Sequence, residues 1–267
     1  MNWRCIFTLT GLKAGLANWS RGIIMTQELN FGDIVRSADI RMLHDMNDVI
    51  YDKKWLKSAE NIELYYMYRD LYRSQEDLEI IKEHNLRYDI TIIPPGMLGR
   101  EYIKTAGHYH PEVPGTNMSY TEVYQVLEGE AIYLLQKMNG RKVVDVVVVK
   151  AEAGDNVIVP PGYGHITINE SGAILKMANW VCRDFSSVYD PIKELMGGVY
   201  YLLDTGFIKN PKYEDVPVIR NLKPTNYSDF GFVKGKDMYE LVDDIEKLRF
   251  LTAPQDFSHL FDRILGT

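Results

Sequence analysis

The stretch "KTAGHYHPEVPGTNMSYTEVYQVLEGEA", residues 104–131, places His108 and His110 one residue apart. In an extended strand alternate side chains share a face, so this spacing aims both imidazoles the same way. Eleven residues, 111–121, including Pro114 and Gly115, separate His110 from Glu122, long enough to turn and bring the carboxylate back beside the histidines on the next strand. Tyr120 and Tyr124 share the face of Glu122. A second stretch, "GDNVIVPPGYGHITIN" (154–169), supplies His165 at the start of a strand, with Thr167 and Asn169 continuing its face. Three imidazoles and one carboxylate suit a divalent first-row transition metal with open positions. Such an ion polarises a carbonyl and stabilises charge on oxygen. Taken singly the residues have plain structural readings: Glu122 as a solvated strand residue, His165 as a hydrogen bonder after a Pro-Gly turn. The other histidines, His44, His84 and His259, fall in flanking segments and read as surface or packing residues.

The elements that must position these groups read as a run of short strands. "RYDITII" (87–93) is β-rich and stops at Pro94-Pro95-Gly96. "REYIKTAGHYH" (100–110), "TEVYQVLEG" (121–129), "AIYLLQKM" (131–138), "VVDVVVVKA" (143–151), "DNVIVP" (155–160), "HITINE" (165–170) and "AILKMANWV" (173–181) follow. Turn signals separate them at Asn139-Gly140, Gly154-Asp155, Pro161-Gly162 and Ser171-Gly172. Short strands at this spacing point to an antiparallel sandwich or jelly roll. Before them, Ser37 is expected to cap a short helix carrying Ile40, Leu43 and Met46 or Asn47. "ELYYMYRDLY" (63–72) reads as a strand, and Ser74 with Asp77 as the cap of a helix stopping near Asn85. After them, "DPIKELMGG" (190–198) reads as a short helix capped by Asp190, and "DMYELVDDIEKLRFL" (237–251) as a helix. The apolar face of the latter, Met238, Leu241, Val242, Ile245 and Leu248, packs on the barrel or on a partner subunit.

The bulk composition narrows the function classes. The chain has 267 residues, 46% hydrophobic and 25% charged, an ordinary globular balance. Its net charge is −7 and no Lys/Arg block appears, so nucleic acid is not an expected partner. Cys5 and Cys182 are far apart in no CxxC pattern, which fits a reducing cytoplasm. No apolar run reaches membrane-spanning length. Residues 1–27 carry Arg4, Lys13 and Arg21 but no acid. The apolar run from Cys5 to Leu12 could open a leader, but Lys13 cuts it short, and residues 1–25 read as an extension upstream of Met25. Residues 26–85 are then an N-terminal flank of helices and a strand, 86–182 the barrel, and 183–267 a C-terminal helical extension.

Gly154, Pro160, Gly162, His165 and Asn169 fit the second cupin motif, G-x5-P-x-G-x2-H-x3-N, and Glu122 with Gly129 echoes the first. The first motif departs from the general pattern: its loop is long, and Tyr102 stands where a glycine is usual. Both departures point to one branch. "TIIPPGMLGREYIKTAGHYHP" followed by "TEVYQVLEGEAIYLLQ" resembles the cupin-type glucose-6-phosphate isomerases found mainly in archaea. The resemblance implies a mainly β, cupin jelly-roll barrel with helical flanks. It implies a metal held by His108, His110, Glu122 and His165: iron(II), with manganese, nickel or zinc as alternatives. Glu122 and Tyr124 carry catalytic roles by the same likeness, and Tyr65, Thr91, Thr105, Gly107 and Tyr189 hold the sugar phosphate. It implies a cytoplasmic homodimer, with glucose 6-phosphate and fructose 6-phosphate as the pair interconverted. Trp180 stands where the family often has a tyrosine, and "DFSSVYD" lacks a histidine that some members carry. The competing expectations are an iron dioxygenase of the same superfamily and a non-catalytic sugar-binding cupin.

Overall fold

The structure, a computed structural model, describes residues 27–224 and 227–265. The extension expected over 1–25 lies outside the described residues. The chain opens with a hairpin, β1 (Glu28–Phe31) and β2 (Ile34–Ser37), then β3 (Asp39–Met42). The helix expected from Ser37 therefore does not form. Ser37 ends β2, Ile40 lies in β3, and only Leu43–Met46 makes a 3₁₀ turn. Strand pairing of β3 with a later strand overrides the helical spacing of this segment. A short helix, α1 (Lys53–Leu56), precedes β4 (Glu63–Tyr68). Helix α2 (Gln75–Glu83) is capped as expected, the Ser74 hydroxyl accepting from the Asp77 amide at 3.1 Å.

The barrel strands follow: β5 (Leu86–Ile93), the short β6 (Met97–Leu98) and β7 (Glu101–Tyr102), then β8 (Glu122–Glu128) and β9 (Glu130–Asn139). After them come β10 (Lys142–Glu152), β11 (Asn156–Val159), β12 (Tyr163–Ile168) and β13 (Leu175–Cys182). The expected strand over 100–110 reduces to β7 and isolated bridges, among them His108 with His165 and Tyr109 with Val188. The C-terminal part holds α3 (Asp190–Glu194), β14 (Tyr200–Leu203), β15 (Gly206–Lys209), β16 (Arg220–Leu222) and α4 (Ser258–Ile264). Tyr189, not Asp190, occupies the N-cap of α3, and Asp190 falls in its first turn.

A six-stranded sheet, β11-β8-β13-β5-β4-β3, faces a four-stranded one, β12-β9-β10-β16, as a mainly β jelly roll. The first sheet draws β3 and β4 from before residue 86, so its hydrogen bonding continues across the barrel boundary read from sequence. The C-terminal part likewise adds strands as well as helical turns, β16 pairing in parallel with β10. Residues 238–251 form a 3₁₀ run kinked at Asp244, where φ is −139°. It lies against the outer face of the six-stranded sheet. Trp180 Nε1 donates to Met238 O at 3.0 Å, and Thr121 Oγ1 to Phe250 O at 3.0 Å. Met238, Val242, Ile245 and Leu248 are buried there, while Leu241 is only half-buried. Covered on its outer face, the sheet turns its other face to the barrel interior, where the site lies.

Candidate metal centre

Gly107 turns the chain immediately before the first histidine, with φ +77°, and a Cβ there would come 2.4 Å from Ile166 Cγ1. This close approach presses the 105–109 stretch onto β12. The His108 amide donates to His165 O at 3.2 Å and the His165 amide to His108 O at 3.0 Å. The pairing sets the two imidazoles face to edge, ring centroids 4.3 Å apart. His110 follows two residues on, its ring 5.2 Å from that of His108, as alternation in an extended chain requires. The loop after it folds back through hydrogen bonds from Val113 N to Met118 O and from Tyr120 N to Pro111 O. That return starts β8 at Glu122, beside the histidines.

His108, His110, Glu122 and His165 each present a ligand atom, and these atoms lie within 4.8 Å of one another. Glu122 Oε2 is 3.2 Å from both His110 Nε2 and His165 Nε2. His110 Nδ1 lies 3.1 Å from Tyr120 O, a contact that places its hydrogen on Nδ1 and turns the Nε2 lone pair inward. His110 Nε2, Glu122 Oε2 and His165 Nδ1 are buried with no hydrogen-bond partner. Buried polar atoms are normally partnered, and the two that face each other across the cluster are groups a bound cation would satisfy. The donor set therefore fits a divalent metal.

Protonation states agree with that use. Burial holds the His108 imidazole well below its ordinary pKa, aided by the neighbouring His165 and His110. Burial also lowers His165, against the pull of Glu122. For Glu122, burial alone would raise the carboxyl, but the nearby His110 and His165 imidazoles outweigh it and hold it well below the usual range. Neutral imidazoles and an ionised carboxylate are the forms a metal needs. Tyr124 is pushed well above its ordinary value by burial and then by Glu122, and its hydroxyl sits 3.1 Å from His165 Nε2. Burial pushes Tyr65 up to about 12.

The cluster opens on a cavity whose lining includes Tyr65, Thr91, Thr105, Gly107, Tyr124 and Tyr189. Every residue expected on the substrate side thus faces one space. Thr105 Oγ1 accepts from the Thr167 amide at 3.0 Å, which leaves its own hydrogen free to donate. The Ala106 amide donates to the Tyr65 hydroxyl at 3.3 Å, and the Tyr189 ring stands 5.5 Å from His108.

Sequence reasoning missed Arg69, Arg87, Asp89, Asn179, Phe185 and Ser187, which also line the cavity. Strand alternation carried the signal for four of them. Arg69 is two steps of two from Tyr65 along β4 and its continuation. Asp89 and Arg87 are one and two such steps from Thr91 along β5. Asn179 is the register partner of both Asp89 and Tyr124. Trp180, aligned with a family tyrosine, does not face the site. It is fully buried on the opposite face, its ring 4.9 Å from Tyr88 and 5.8 Å from Tyr239.

A family model described as Glucose-6-phosphate isomerase (GPI) matches residues 40–218. The chain is similar to a glucose-6-phosphate isomerase of Pyrococcus furiosus, 32% identical over 130 residues, which cover 49% of this chain and 62% of that one. One from Thermococcus litoralis is 33% identical over 131 residues, again 49% and 62%. One from Thermococcus gammatolerans is 28% identical over 180 residues, 65% of this chain and 86% of the relative. The matched region thus spans 62% of the length of the first two relatives. Among solved structures, an oxalate decarboxylase from Bacillus subtilis superposes with a TM-score of 0.34 at 17% identity, covering 47% of this chain and 27% of that one, too low a score to bear on function.

Proposed function

Because the chain belongs to the glucose-6-phosphate isomerase family, we propose that it is a metal-dependent aldose–ketose isomerase interconverting glucose 6-phosphate and fructose 6-phosphate. The observation that carries this reading is the cluster of His108, His110, Glu122 and His165 opening on a cavity lined by hydroxyls and backbone amides. A divalent ion bound by those residues, iron(II) in this proposal with manganese, nickel or zinc as alternatives, would supply Lewis-acid polarisation of the sugar's carbonyl and neighbouring hydroxyl.

The chain's own groups do the rest. Isomerisation moves hydrogen between C1 and C2 and a proton between O1 and O2. Glu122, ionised and buried, can hold that proton, although metal ligation lowers its basicity. Tyr124, kept neutral by burial and by Glu122, serves as a hydrogen-bond donor to the reacting oxygens rather than as a base. Tyr65 stays neutral in the same way. The Thr105 hydroxyl, the Thr91 hydroxyl and the amide of Gly107 are suited to phosphate oxygens, and Tyr189 closes the sugar's side of the cavity. The burial of His110, Glu122 and His165, with His108 partly exposed toward the cavity, limits water at the cluster and strengthens each of these contacts.

In this proposal the chain works in the cytoplasm as a homodimer in glycolysis and gluconeogenesis. No helix among the described residues is long and apolar enough to cross a membrane. The test is direct. Metal-loaded protein is incubated without oxygen with fructose 6-phosphate, and glucose 6-phosphate is assayed; no product with iron, manganese, nickel or zinc overturns the reading. In parallel, His165→Ala is expected to lower bound metal, and a variant that keeps its full metal content removes His165 from the ligand set.

A further inference from the structure

The groups assigned to the phosphate are all neutral: two threonine hydroxyls, a backbone amide and tyrosines. A phosphate monoester carries close to two negative charges near neutral pH. Neutral donors alone leave that charge uncompensated in a partly closed cavity, where an unbalanced ion is costly.

Arginines stand near the cavity, and their partners sort them. Arg87 contacts the buried Asp89 through Nε at 2.9 Å and Nη2 at 2.8 Å. Arg69 contacts Asp39 at 3.2 Å and Asp89 at 3.8 Å. Both charges are already answered by carboxylates. Arg41 differs. It lies on β3 directly across from Tyr65. Its guanidinium carbon is 6.0 Å from the Tyr65 ring centroid and 6.0 Å from that of Tyr189. Its Nε is buried with no hydrogen-bond partner. Among the described residues no carboxylate lies within ion-pair distance of it: Asp39 is taken by Arg69, and Asp45 Oδ2 accepts from the Met42 amide. Its two aromatic neighbours line the cavity, and the Tyr65 hydroxyl also receives the Ala106 amide, in the middle of the Thr105–Gly107 turn.

We infer that Arg41, seated against Tyr65 and Tyr189, is the cation of the anion subsite and recognises the phosphate monoester end of the substrate. The inference rests on the isomerase reading for the identity of that substrate, but the site itself is defined by a guanidinium that has aromatic neighbours and no carboxylate at ion-pair distance among the described residues, beside a turn of hydroxyl and amide donors. It makes Arg41 a binding residue for the phosphate, outside the metal's ligand set and outside the chemical step.

The test compares Arg41→Gln and Arg41→Lys with the unmodified chain, all metal-loaded. Loss of a charge-assisted hydrogen bond corresponds to a KM for fructose 6-phosphate about 10- to 100-fold higher, with kcat held within about threefold because the interaction is made equally before and during reaction. Inhibition by inorganic phosphate should weaken in parallel, while bound metal stays unchanged. Arg41→Lys keeps the charge without the planar fork and should fall between the two; it decides the matter if Arg41→Gln does not fold. An unchanged KM and unchanged phosphate inhibition in the variants overturn the inference, as does a loss confined to kcat. If the unmodified chain turns over no sugar phosphate, inorganic phosphate binding followed by calorimetry still discriminates. Binding that depends on Arg41 upholds the anion subsite while the isomerase reading fails, and binding indifferent to Arg41, or none, overturns it.

Discussion

Gly107 is held to glycine twice over, by its φ of +77° and by Ile166 Cγ1 at 2.4 Å from where a Cβ would stand. The first excludes most L side chains on backbone grounds, the second on packing grounds. Gly107→Ala is expected to cost about 2–4 kcal/mol of stability, the sum of a left-handed penalty and local overpacking. Urea unfolding measures it, and in an Ile166→Ala background, compared with Ile166→Ala alone, the cost of Gly107→Ala should fall to the left-handed part. Nearby, Tyr124 is placed as a neutral donor, so Tyr124→Phe should lower kcat about tenfold, the value of one hydrogen bond. Metal content should not change; a variant with unimpaired turnover would remove the hydroxyl from the chemistry.

Two strands and a buried ion pair hold those residues in place. Along β4 and β5 the side chains at 65, 67, 87, 89 and 91 all face the cavity, continued by 69 just past β4. Naming one residue on a strand therefore names its alternates, which makes Arg69 and Asp89 accessible to pattern reasoning. Just before the site turn, Lys104 Nζ lies 2.5 Å from Glu101 Oε1 and 2.8 Å from Val49 O, while Glu101 Oε2 accepts from the Tyr51 amide. Both side chains are almost fully buried. Burial raises the Glu101 carboxyl and Lys104 opposes that shift. This pair fixes the segment leading to Thr105 against residues 49–51. Lys104→Met leaves the carboxylate buried and uncompensated and should destabilise by about 3–5 kcal/mol. The double change Lys104→Met with Glu101→Gln should recover much of that, and additive losses in a double-mutant cycle would show that the two do not act as a pair.

Over the whole molecule, the C-terminal part is fastened to the barrel at several points. One is the β16 strand, where Arg220 holds Asp145 of β10 through two nitrogens at 2.9 and 2.7 Å and also donates to Leu265 O at 2.8 Å. The Arg220 hydrogen bonds, and after them Tyr163, set the Asp145 carboxyl below its ordinary value of 3.8, against some burial. A depressed carboxyl stabilises the fold fully above that ordinary value and loses its contribution as pH falls through the folded value. The advantage of the unmodified chain over Arg220→Met, about 1–2 kcal/mol at neutral pH given the partial exposure of the arginine, should therefore shrink under acid below pH 3.8. An advantage constant across acid titration would assign the effect to packing. Metal occupancy should act on the same global scale. Because the unfolded chain has no preformed site, an ion in hundredfold excess over its dissociation constant adds about 2.7 kcal/mol. Chelation should lower the melting temperature of the unmodified chain and leave His110→Ala unmoved.

The four residues that could hold a metal were legible in the sequence because strand geometry is local: alternation fixes that His108 and His110 share a face, and turn residues fix where the next strand begins. The same locality makes the Ser74 cap and the succession of barrel strands readable. Local pattern does not say which of a strand's two faces is covered by what. Trp180 and Asn179 are adjacent, and only the C-terminal segment lying on the outer face of the six-stranded sheet decides that the tryptophan packs there and the asparagine enters the cavity. The segment after Ser37 has helical spacing yet forms strands, because pairing of β3 with β4 supplies hydrogen bonds that spacing cannot register. Arg41 is an unremarkable cation in the sequence. Its meaning comes from two tyrosines, Tyr65 and Tyr189, brought beside it from 24 and 148 residues away along the chain. Spacing determined the donor set for a metal; long-range burial and pairing decided which charges around it are answered and which is left to meet a ligand.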